Sequence, residues 1–166
     1  MRARQVVARR VCAAAHIIAL LMLAAASQAH AQAPSIKLSS AWMRPALAGD
    51  NARAYVDIAS DTALTLTQAT TPVANAVEIV VAGASGNAAD ETVVASMPVA
   101  AGTALRLAFR GNHLRFVGVH RNLVNGETIP VTLHLAETDG RVTQVSADVL
   151  VRGFTVRPAA PDLRRP

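Results

Sequence analysis

From Ile36 onward, apolar residues recur mostly at alternate positions over short runs: "IKLSSAW", "ARAYVDIAS", "ALTLTQA", "AVEIVVA", "TALRLAF", "HLRFVGV", "IPVTLHLAE" and "RVTQVSADVLV". A period of two is the signature of a strand with one face buried. Turn-forming residues separate the runs, as in "LAGDN", "TTPVAN", "AGASGNAAD", "RGN", "NGE" and "TDG". No long stretch carries the 3.6-residue period of an amphipathic helix. Eight or nine short strands in this order predict an all-β domain, an antiparallel Greek-key β-sandwich.

The same alternation sorts residues onto faces. In "HLRFVGV", Leu114 and Phe116 point one way and His113, Arg115 and Val117 the other. The bulky pair marks the core side, and Arg115 is expected to be largely solvent-facing. In "IPVTLHLAE", Ile129, Val131, Leu133 and Leu135 face inward, which turns His134 outward beside Thr132.

The ends of the chain break the pattern. "MRARQVVARR" is basic and "VCAAAHIIALLMLAAA" is a continuous apolar run that ends in "SQAHA", with Ala29 and Ala31 placed for cleavage before Gln32. Residues 1–31 therefore read as a signal peptide that directs export to the periplasm, the only association with a membrane that the sequence implies. Residues 32–152 form the domain, and residues 153–166, rich in Pro and Arg, read as a mobile tail.

Removing the leader changes the picture of charge. It takes Arg2, Arg4, Arg9 and Arg10 out of 16 basic residues and leaves 12 against 11 acidic ones. Near-neutrality, with no basic patch interleaved with aromatics, excludes a nucleic-acid partner. The only cysteine, Cys12, lies inside the leader, so the domain offers no thiolate ligand, disulfide or thiol nucleophile. Neither a GxSxG elbow, an HExxH helix nor a phosphate-binding glycine loop is present. The chemistry expected is binding, not catalysis.

The order "AWMRPALAGDNARAYVDIAS", "ANAVEIV" and "VAAGTALRLAFRGNHLRFVGVHRNLVNGETIPVTLHLAE" resembles the periplasmic copper chaperones of the PCu(A)C family. Its anchors are Trp42 with Arg44, Tyr55, Val77 with Glu78, the "NHL" turn, Gly118 and "NGETIPVTL". The resemblance implies a cupredoxin-like fold and carriage of Cu(I) toward the copper centres of respiratory oxidases. It implies as partner an assembly factor for such a centre or another periplasmic protein.

The resemblance also implies a site made of a His, a Met and a later His-x-Met pair, soft thioethers and imidazoles that suit Cu(I) without a thiolate. His113 falls on the His of the pair. The other three positions fall on Val80, Glu91 and Arg115. An arginine there has no lone pair to donate and brings a positive charge beside a cation. Met43 and Met97, the only methionines of the domain, align with core positions and are expected to pack there. His120 is an auxiliary candidate ligand, although its odd separation from His113 sets the two on opposite faces of a continuous strand.

Two readings are open. In one, the protein keeps the copper-carrying role with an altered, weak site; in the other, it is a metal-free binding module for another exported protein. In both, the resemblance draws Glu91 and Arg115 together, so that a carboxylate and a guanidinium link the two segments with His113 beside them.

Overall fold

The structure, a computed structural model, describes residues 33–83 and 88–153. The expected leader and all but the first residue of the expected tail lie outside the described residues, and the strands belong to the unit that begins at Pro34. Ten strands are formed: β1 (Ile36–Met43), β2 (Ala52–Ser60), β3 (Leu64–Thr70), β4 (Ala74–Val81), β5 (Thr92–Val94), β6 (Met97–Val99), β7 (Leu105–Leu107), β8 (His113–Val119), β9 (Thr128–Glu137) and β10 (Val142–Val151). Among the described residues the only helical segment is a 3₁₀ turn, Ala88–Asp90.

The all-β class is as expected, but the arrangement differs from two separate antiparallel sheets. Hydrogen bonding runs in one continuous path, β5-β4-β8-β2-β1-β10-β9-β3-β6, and β3 pairs again with β4 at Ala69 and Val77. The seven strands β4-β8-β2-β1-β10-β9-β3 thus close on themselves. One pairing is parallel, β1 with β10, through Trp42 opposite Leu150 and Met43 opposite Val151. Closure removes free edges from those seven strands, a property that local periodicity does not encode.

The core is the interior of this ring. Ile129, Val131, Leu133 and Leu135 are all buried there, as alternation predicts, with Leu114 and Phe116 from β8 and Ala54, Val56 and Ile58 from β2. Met43 and Met97 join it, confirming their packing role. β5 and β6, three residues each, are too short for a periodic signal, and only the centre of "TALRLAF" is strand.

A bulge in β1 aims a side chain at the opposite face. Ser39 pairs with Asp57 and Trp42 with Tyr55, so two residues, Ser40 and Ala41, stand opposite Val56 alone. Ser40 takes φ 53° to make this fit. Without the extra residue, Trp42 would point into the core; with it, Met43 does.

Candidate functional site

The outer face of β2, β4 and β8 carries the residues of interest. Cross-strand register sets Arg53 opposite Arg115, and on the other side of β8 it sets Glu78 opposite Arg115 and Val80 opposite His113. Tyr55 follows Arg53 on the same face by the period of two. Ala82, Glu91 and Phe109–Gly111 border this face; these residues line one cavity of about 210 Å³ with His113 and Tyr55.

That cover buries His113. It sits on the face opposite the core, as its register requires, yet it is only 2% exposed. Val80 and Tyr55 are buried in the same way, outside the main core cluster. Arg115 is half-buried rather than solvent-facing. Alternation assigns a face correctly but says nothing about residues from other segments that cover it.

The charges of the face are interlocked. Glu91, 6% exposed, accepts from Arg53 Nη2 through Oε1 at 2.8 Å. Its Oε2 lies 3.7 Å from Arg115 Nη1 and 3.8 Å from His113 Nε2. Arg115 turns mainly to Glu78, donating to its Oε2 from Nη2 at 2.6 Å and from Nε at 2.8 Å. Glu91 and Arg115 are therefore brought together as expected, but each has a closer partner. Arg53 and Glu78 had gone unremarked as charge partners, although Glu78 stands two residues before Val80 and Arg53 two before Tyr55, a same-face spacing legible in the sequence.

His113 is held at one nitrogen and open at the other. Nδ1 lies 2.9 Å from the carbonyl oxygen of Gly111; a carbonyl only accepts, so Nδ1 carries a proton, and in the neutral imidazole Nε2 is then the nitrogen that presents a lone pair. Nε2 is buried without a hydrogen-bond partner. An aromatic group backs the ring: Tyr55 has its centroid 6.3 Å away, with Trp42 at 4.5 Å and Phe109 at 6.1 Å on its other sides. Burial raises the Tyr55 phenol above its ordinary pKa; the charges of Arg53 and Arg44 oppose this, and Glu91 reinforces it.

His120 does not join this group. It lies just beyond the far end of β8, where Nε2 meets Asn75 Oδ1 at 3.1 Å, and a seven-residue strand at about 3.3 Å per residue separates it from His113 by roughly 20 Å. His134 lies on the outer face of β9, half-buried. Among the described residues, no three His, Cys, Asp or Glu side chains are gathered so as to hold a metal ion.

Residues 36–149 match the sequence profile of the family described as "Putative lipoprotein LpqE-like". No functionally curated protein matches the chain. Among solved structures, the copper-bound PCuAC domain from PmoF2 is similar at 20% identity, covering 71% of this chain and 92% of that chain with a TM-score of 0.57. The apo PCuAC domain from PmoF1 is similar at 21% identity, 71% and 93% coverage and the same TM-score. The Cu(I) form of DR1885 from Deinococcus radiodurans is 28% identical over 79% of this chain and 87% of its own, with a TM-score of 0.52. The chain belongs to the LpqE-like, PCuAC-type family.

Proposed function

We propose that the protein is an exported, periplasmic binding module that keeps the PCuAC fold and works without Cu(I). The observation that carries this reading is the ion-pair chain Arg53–Glu91–Arg115–Glu78, which fills the ground to which the family resemblance assigns copper. Of the four assigned positions only His113 supplies a soft or borderline donor; Val80 supplies none, Glu91 is a hard carboxylate already claimed by a guanidinium, and Arg115 is a cation. This donor set does not fit Cu(I). The leader and the lipoprotein family description both support export.

One observation favours the copper-carrying reading. His113 keeps a buried imidazole nitrogen without a hydrogen-bond partner, a ligand that a partner protein could complete with its own donors during transfer toward an oxidase copper centre. A Cu(I) titration of the protein against a chromophoric competitor separates the two. The expected result is no competition at micromolar metal. Tight one-to-one binding overturns the metal-free reading.

A further inference from the structure

We propose that the cleft above Arg53 and Arg115 binds a small organic carboxylate that carries an apolar body. This deepens the metal-free reading of the same face and rests on it. The cleft holds about 430 Å³ and is lined by three guanidinium groups, Arg44, Arg53 and Arg115, against one carboxylate, Glu91. Counting Glu78, which pairs with Arg115 beside the cleft, three guanidiniums meet two carboxylates. Glu91 is nearly buried beneath, so it acts as an anchor for Arg53 and not as a competitor at the mouth.

Arg53 retains capacity. Its guanidinium carries five N–H donors in a planar fork that matches a carboxylate; the contact to Glu91 engages Nη2 of Arg53, whose side chain is 40% exposed. Glu91 and Glu78 fix the orientation of Arg53 and Arg115 before any ligand arrives. A pre-oriented fork loses less side-chain freedom on binding.

Apolar side chains also line the cleft. Phe109, 43% exposed, lines the cleft together with Pro45, its ring set edge-on against Tyr55. Apolar walls with a few convergent polar groups are the usual composition of a small-molecule site. A volume of this size admits a ligand of roughly ten to fifteen heavy atoms and excludes a folded domain.

A second observation points to an absent partner. The adjoining cavity of about 210 Å³ shares Arg44, Arg53, Tyr55, Glu91 and Phe109 with the cleft and adds His113, whose buried Nε2 has nothing to accept from. A buried polar atom without a partner costs free energy. A hydroxyl on the ligand, or a water it encloses, would donate to that nitrogen.

The same carboxylate chemistry has two sources, a free organic acid and the C-terminus of a polypeptide ending in an aromatic residue. Heteronuclear NMR titrations of the protein test both, with phenylacetate against its neutral analogue phenylacetamide, and with the peptide Gly-Gly-Phe bearing a free or an amidated C-terminus. The expected result is saturable shifts at Arg53, Tyr55, Phe109 and Arg115, with each charged ligand binding about tenfold or more tightly than its neutral counterpart. Binding of the acid alone assigns a small-molecule ligand, binding of the peptide alone a protein terminus, and either supports the proposal. Arg44→Gln and Arg53→Gln should each weaken binding by about tenfold, whereas Arg141→Gln, in the turn between β9 and β10, should not. Should Arg53→Gln fail to fold, the exposed Arg44→Gln carries the test. Equal binding of charged and neutral forms, shifts elsewhere, or no binding by either acid or peptide overturns the proposal. If the acids fail while Cu(I) also fails to bind, the metal-free reading stands without this ligand; tight Cu(I) binding removes that reading whatever the acids do.

Discussion

Phe116 and Arg115 are neighbours on β8, and the strand's alternation sends one into the ring and the other under the outer cover. Phe116 is fully buried, so Phe116→Ala should cost about 3–5 kcal/mol. Arg115→Ala leaves Glu78 half-exposed to water and Glu91 still held by Arg53, and should cost only about 1 kcal/mol. Chemical denaturation of both variants decides it; similar losses would mean the register is misplaced. Tyr55 supplies a second test, because it is the only tyrosine. Its pKa is raised by burial above the ordinary 10.0, so above that pH the unfolded chain ionises first and the folded state holds more protons. Stability should then fall as pH rises past 10.0 toward the folded value. Tyrosinate absorbance should show a later midpoint in the folded protein than in denaturant, and Tyr55→Phe should abolish the alkaline loss. At this scale the sequence was informative about faces and silent about partners. Leu114 and Phe116 were readable from their neighbours, whereas the burial of His113 depends on chain near Glu91, far off in sequence.

At the scale of elements, the longer strands were legible nearly to the residue. "HLRFVGV" is β8 and "ARAYVDIAS" is β2 without adjustment, since seven or more alternating residues bounded by turn formers leave little freedom. What alternation missed are its own interruptions. The bulge at Ser40 and Ala41 switches the face of Trp42, and no run of apolar residues announces an inserted one. Gly118 is a second interruption that can be tested. It takes φ +57°, and a Cβ there would lie 2.6 Å from Asn75 Nδ2, while Asn75 Oδ1 is the partner of His120 Nε2. Gly118→Ala should therefore destabilise by about 1–2 kcal/mol from backbone strain alone, with a further loss as Asn75 is displaced. The measurement is denaturant unfolding combined with the His120 ring resonances, which should shift in the variant. A neutral substitution would show that β8 runs on without a left-handed residue.

For the whole molecule, the side-by-side order β5-β4-β8-β2 within the sheet is what brings Arg53, Glu78, Glu91 and His113 to one place, because they belong to β2, β4, the segment before β5, and β8. Neither closure nor the parallel contact of the first and last strands was readable from local pattern, since both depend on which distant strand meets which. The family resemblance supplied what periodicity could not, namely that positions 80, 91, 113 and 115 converge. The structure gives that convergence a physical test. Val80 stands directly opposite His113 across the β4–β8 pair, and Glu91 Oε2 lies 3.7–3.8 Å from both Arg115 and His113, so new donors at 80, 91 and 115 would surround one point. Val80→His, Glu91→Met and Arg115→Met together should place two imidazoles and two thioethers there, a soft set that suits Cu(I). Removing Glu91 and Arg115 in the same variant removes one charge of each sign, so Arg53 loses its anchor without leaving a buried carboxylate unpaired. The triple variant should bind one Cu(I) that the parent does not, read by competition with a chromophoric chelator, while its circular dichroism remains that of the parent. If it folds and binds no better than the parent, positions 80, 91 and 115 do not stand in the relation to His113 that the family's ligands require.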